Sequence, residues 1–249
     1  MKHEPTMRVI KIIDLVSSNS DRGITIKEMM EKLDMPKTTV FNIVRTLVME
    51  KMLQEVKDHN NTKYQLGFYT YVMASRYAEK LDVLKIAAPI LKDLSDVTGL
   101  TSFVGKVNDQ NIYYLYKYEP KDALPTKSLV NNANYIHSTA LGKAYLSTLN
   151  DKELNKIVQT IDYHISTKFS IKDSKALLED IKETKIHGYS IDKEETDIGL
   201  ICYGAPIIDN QGQFIASISL SGIKTPKDMS DLYGKLVKQA ADKISELLK

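Results

Sequence analysis

Thr38, Asn42, Arg45 and Met49 recur at the spacing of one helical face. At about 100° per residue they lie within about 60° of one another. A face that only meets solvent more often carries Glu and Lys, which are better helix formers than Thr and Asn. Here the side chains are short and rich in hydrogen-bonding groups. Between residues 36 and 49 there are two basic residues, Lys37 and Arg45, and no acidic one. The opposite face carries Val40, Ile43, Val44 and Leu47 at i, i+3, i+4 and i+7, a stripe that asks to be buried. Such a helix can anchor one side and offer the other to the major groove of B-DNA, which is about 12 Å wide. Thr38, Asn42 and Arg45 suit base edges or phosphates. Lys37 and Thr39, at the helix start where backbone N–H groups point outward, suit phosphates. The alternative is a three-helix packing module with a chance polar face.

That helix needs neighbours, and the sequence supplies two. Val9, Ile12, Ile13 and Val16 repeat the same spacing, as do Ile26, Met29, Met30 and Leu33. Thr25-Ile26-Lys27-Glu28 reads as a capping box that opens the second helix. Asp34-Met35-Pro36 then leaves room only for a very tight turn, with Pro36 at the first position of the third helix. Residues 52–56 and 63–66 read as two short strands around Asp58-His59-Asn60-Asn61, a hairpin with a polar tip. Beside a helix-turn-helix this is a wing, and His59, Asn60, Asn61 and Lys63 are placed to reach the adjacent minor groove or its phosphates.

The rest of the chain changes character. FYTYVMASRYAE, from Phe68 to about Glu79, is helical with large residues on more than one face, and is read as a connector packed against a partner subunit. Asp82 to about Val97 is amphipathic and ends at Thr98-Gly99. Strands are expected at 101–107, 112–118, 189–195, 201–208 and 213–222, with helices at 138–148, 151–160, 173–187 and 227–248. Hairpin turns at Asn108–Asn111 and Asp209–Gly212 imply an antiparallel α+β sheet, expected to be covered on one side.

In YIHSTALGKAYL, Ser, Thr, Ala and Gly crowd a helix start. Small residues let a ligand approach backbone N–H groups carrying about half a positive charge, so a small carboxylate is the natural guest. Ordinary capping by Ser138 or Thr139 is the equal alternative. Asp192, Cys202, Ser219 and Ser221 lie on three expected strands and meet in one pocket if those strands are neighbours. Singly, each reads as structural.

Bulk composition narrows the class. The 249 residues suffice for one large or two ordinary domains, 43% of them hydrophobic. A single cysteine, Cys202, excludes an internal disulfide framework and cysteine-rich zinc modules. No apolar run suggests a signal peptide or a membrane span, so a soluble cytoplasmic protein is expected. Net charge is +2, with residues 1–80 holding 13 Lys+Arg against 10 Asp+Glu. This mild asymmetry permits a nucleic-acid partner at the front. There is no Walker loop, no G-x-S-x-G elbow and no metal-spaced His/Cys cluster, so neither a cofactor nor catalysis is expected.

These segments together resemble the IclR-type transcriptional regulators, along essentially the whole chain. IHSTALGKAYL is similar to that family's H-x-T-A-x-G-K-A segment. GYSIDKEETDIGLICYGAPIID is similar to its signature, with Gly188, Asp192, Glu195, Cys202, Gly204 and Asp209 in place. MPKTTVFNIVRTLVMEKML resembles its recognition-helix stretch and KYQLG its wing end. The resemblance implies a winged helix-turn-helix DNA-binding domain (1–67), a linker helix (68–81) and a GAF-like effector-binding domain (82–249). It also implies a homodimer or homotetramer acting on operator DNA as repressor or activator, in response to small organic or aromatic acids. Carried over by position, the effector pocket would involve Ala140, Leu141, Asp192, Leu200, Cys202, Ser219 and Ser221. The chain departs from the usual pattern at Asn42, where a basic residue is common, and at Tyr203 and Ile208. Tyr203 is expected to alter the pocket wall. The alternative function is a metabolite-converting enzyme fused to a DNA-binding domain.

Overall fold

A computed structural model describes residues 3–58, 61–78, 82–123, 133–225, 227 and 229–248. The chain divides into two compact units, Met1–Leu81 and Asp82–Lys249.

In the first unit, α1 (Glu4–Ser17), α2 (Ile26–Leu33) and α3 (Lys37–Met49) precede a hairpin of β1 (Leu53–Asp58) and β2 (Asn61–Leu66). The three apolar stripes meet in one core. Ile12, Val16, Met29, Val40 and Val44 are all at most 1% exposed, and Leu53 and Tyr64 of the hairpin close the same cluster. The capping box forms as read: Thr25 accepts from the Glu28 backbone N–H at 3.2 Å, and the Glu28 carboxylate accepts from the Thr25 N–H at 2.8 Å. The tight turn is made by Asp34 in the left-handed region (φ 50°). Pro36 sits one place earlier than expected, as the N-cap (φ −60°, ψ 145°), and α3 begins at Lys37. The hairpin strands run longer than the expected 52–56 and 63–66 because the polar pair Lys57 and Thr62 continues the ladder. His59 and Asn60 lie outside the described residues. The connector α4 (Phe68–Ala78) leaves Phe68 71% and Tyr71 67% exposed.

The second unit is an antiparallel six-stranded sheet in the order β5-β4-β3-β8-β7-β6. The strands are β3 (Thr101–Asn108), β4 (Asn111–Tyr118), β5 (Ala133–Tyr135), β6 (Ser190–Lys193), β7 (Leu200–Ile208) and β8 (Phe214–Ile223). β5 was not foreseen. Helices cover both faces, not one. On one face lies α6 (Ala140–Thr148), backed by α7 (Asp151–Val158) and α8 (Ser174–His187). On the other lie α5 (Asp82–Thr98) and α9 (Ser230–Leu247). The cause is legible in the central strands. In β8, Ser217 and Ser219 point one way and Ile218 and Leu220 the other, and all four are at most 3% exposed. A strand buried on both sides needs a layer on each.

Close approach fixes α6 against the sheet. A Cβ at Gly204 would stand 2.5 Å from the Ala140 carbonyl oxygen, and one at Gly142 would stand 2.3 Å from that of Ile136. Only glycine admits these contacts.

Candidate effector cavity and nucleic-acid interface

Sheet register assembles the candidate cavity. Asp192 on β6 pairs with Cys202 on β7, which pairs with Ser221 on β8. One step along, Gly204 pairs with Ser219, which pairs with Phe103 on β3. These two rows face the N-terminus of α6. Ala140, Leu141, Asp192, Leu200, Cys202, Ser219 and Ser221 all line a single cavity there, so the seven residues named from the sequence are brought together. Phe103, Tyr114, Thr196 and Asp197 complete the wall without having been singled out. For Phe103 the missing information was its register against Ser219, which no local pattern encodes. Tyr203 is not in this wall. Alternation on β7 sends it to the opposite face, against Tyr233 of α9 with ring centroids 5.7 Å apart.

The cavity is narrow, with only about 20 Å³ open to a water-sized sphere, enough for about one water. Thr139 caps α6, accepting from the Gly142 N–H at 3.1 Å while donating to the Tyr135 carbonyl at 3.0 Å. The N–H groups of Ala140 and Leu141, in the first turn, have no intrahelical acceptor, and both residues line the cavity. The Cys202 thiol donates to Ser221 Oγ at 3.2 Å, and burial pushes it well above the ordinary thiol range.

Asp192 is 2% exposed and accepts from the Glu195 N–H at 2.7 Å and from Thr196 Oγ at 2.6 Å. Burial raises its carboxyl. It thereby folds the segment between β6 and β7 over the cavity mouth. The strand expected to reach residue 195 stops at Lys193, because Glu194 turns into the left-handed region (φ 64°).

Beneath this segment lies a group the sequence reading passed over. Lys143 of α6 is fully buried, with Nζ 2.6 Å from Glu195, 3.0 Å from Asp180 and 2.5 Å from the Ile191 carbonyl. Burial alone would favour its neutral form, but the Glu195 and Asp180 carboxylates hold the ammonium above its ordinary range. Around one cation stand three carboxyls, counting Asp192. Burial pushes Glu195 up to about 7, against the pull of Lys143. A carboxyl raised in the fold favours folding below its ordinary value, and that contribution is lost as pH rises through 7. Stability of the wild type relative to Glu195→Gln should therefore decline from pH 5 to pH 8, as read by denaturant unfolding. A flat or rising difference would refute this assignment.

In the first unit, Lys37, Thr38, Asn42, Arg45 and Met49 are exposed, and Thr39 is half-buried. The side chains of Thr38, Asn42 and Arg45 take no hydrogen bond or ion pair among the described residues. Phe41, on the same side of α3 and 45% exposed, was not named from the sequence because an aromatic residue reads as core. In the wing, Asn61 is exposed, while Lys63 Nζ lies 2.5 Å from Asp58 and is partly neutralised. Among the described residues no cluster of His, Cys, Asp and Glu could hold a metal, and no helix is long and apolar enough to cross a membrane.

Two family models match the chain: the bacterial transcriptional regulator IclR C-terminal domain over residues 75–246, and the IclR helix-turn-helix domain over residues 5–57. The chain belongs to the IclR family. Like the other members it is a helix-turn-helix transcriptional regulator that binds DNA and is controlled by a small-molecule effector. The transcriptional regulator KdgR of Escherichia coli (strain K12) is 27% identical over 240 residues, spanning 95% of this chain and 90% of its own. Two solved structures share the fold. The IclR protein of Thermotoga maritima has 24% identity and a TM-score of 0.79 over 99% of both chains. An IclR homolog of Microbacterium hydrocarbonoxydans, solved with 4-hydroxybenzoate, has 16% identity and a TM-score of 0.83 over 98% of each. The family assignment settles the choice between regulator and fused enzyme in favour of the regulator.

Proposed function

We propose that residues 1–67 hold the DNA-binding activity, that 68–81 link, and that 82–249 sense a small organic or aromatic carboxylate bound at the start of α6. The observation that carries the reading is the cavity. Seven residues from α6, β6, β7 and β8 converge at the first turn of α6, whose leading N–H groups have no intrahelical acceptor. The carboxylate would take the N–H groups of Ala140 and Leu141, with Ser219 and Ser221 beside it and Phe103 and Tyr114 against its apolar body. The 4-hydroxybenzoate held by the Microbacterium homolog is an acid of this class.

On DNA, Thr38, Asn42 and Arg45 would face the bases, Phe41 a thymine methyl, and Lys37, Thr39, Asn61 and Lys63 the phosphates. The exposed aromatic side of α4 supports a cytoplasmic homodimer or homotetramer, whose paired α3 helices would read two half-sites. The effector changes DNA affinity by its unequal binding to two arrangements of those helices, typically about 1–3 kcal/mol.

The test is a thermal-shift screen of the full chain with small carboxylic acids, followed by DNA binding with and without each hit. Binding to the native state raises the unfolding midpoint. Ser221→Val should remove the shift and the effector response while leaving ligand-free DNA affinity unchanged. A variant that responds like the wild type would take Ser221 out of the site.

A further inference from the structure

The sensory unit has a second cavity, larger than the first and on the other face of the same two strands. It holds about 310 Å³, within the range of small-molecule sites of about 300–1,000 Å³. Its apolar wall includes Leu100, Tyr203 and Tyr233, and Lys193, Lys224 and Lys227 line it as well. No Asp or Glu is among its described lining residues. Lys224 reaches sideways to the Glu194 carboxylate, whereas the amines of Lys193 and Lys227 take no carboxylate among the described residues. A concave site with aromatic walls and cationic groups suits an anion with a flat apolar body. Tyr203, where the chain departs from the family signature, belongs to this cavity and not to the first.

We infer that this cavity is a second binding site, taking a small aromatic or amphipathic anion, separated from the α6 site by the thickness of the sheet. The site uses none of the residues assigned to the carboxylate at α6, so the two readings stand or fall separately.

The probe is anilinonaphthalene sulfonate, an aromatic anion that fluoresces on leaving water, titrated into the full chain. The expected result is one saturable site per chain. Lys193 and Lys227 are exposed, so their substitution leaves the fold intact. The double variant K193E/K227E should bind the dye about tenfold more weakly or worse, a loss of about 1.4 kcal/mol. K193Q/K227Q should fall between it and the wild type, and both should keep the wild-type melting temperature. Neutral phenylnaphthylamine should bind far more weakly than the sulfonate. The inference is overturned by non-saturable binding, by an unchanged affinity in K193E/K227E, or by equal binding of the neutral dye.

Discussion

Replacing Lys143 by Met should destabilise the protein by about 3–5 kcal/mol at pH 8, because it strips a buried carboxylate of its cation. Met is similar in length and apolar, so the space stays filled and the measured loss is electrostatic. Glu195 is 4% exposed, and its second oxygen, Oε2, has no partner among the described residues even with Lys143 present. The remedy left to Lys143→Met is protonation of Glu195. The cost should therefore shrink toward pH 5, and the double variant Lys143→Met/Glu195→Gln should recover much of it. Denaturant unfolding at the two pH values decides the matter. A loss below about 1 kcal/mol at pH 8 would mean that the cluster is hydrated and unimportant. The expected loss is a large part of a typical total of about 5–15 kcal/mol. Lys143 thus holds α6 to the segment that covers the candidate effector cavity.

Arg45→Ala should weaken operator binding by about 1–3 kcal/mol and relax preference at one base position, if the guanidinium reads a guanine edge. Arg45 is exposed with no partner among the described residues, so its loss should leave the unfolding midpoint nearly unchanged. Anisotropy titrations against a duplex selected from a random library, and against unselected duplex, separate the possibilities. Equal weakening on both would make Arg45 a phosphate contact. No weakening on either would remove it from the interface.

Local periodicity carried much of the reading of this chain. The stripes of α1, α2 and α3 were visible because each helix buries one face only, and the Thr25/Glu28 cap was visible because it spans four residues. Asp192, Cys202 and Ser221 could be named as polar positions on strands. That they share one row depended on the register of β6, β7 and β8, and the wall is completed by β3, which pairs with β8 about a hundred residues away. Phe103 and Tyr114 were missed for that reason. Lys143 was missed for another: lysine is almost never fully buried, and nothing near it in sequence reveals carboxyls that arrive from α8 and from beyond β6. The layer of α6 was missed because alternating serines on β8 look like a wet face until α6 is known to lie on them. Ser217 donates to the Leu141 carbonyl and Ser190 to that of Ala140, so these hydroxyls serve packing.

A chamber with room for about one water cannot admit a ten-atom acid as it stands. For the proposed acid to bind there, the 194–200 crossing has to move aside, and Thr167, Ser170 and Lys224 pin it at Glu194 and Glu195. The concentration at which the regulator responds is then the intrinsic affinity diluted by the small fraction of molecules standing open. Sensitivity can thus be tuned at the pins, far from any atom the metabolite touches.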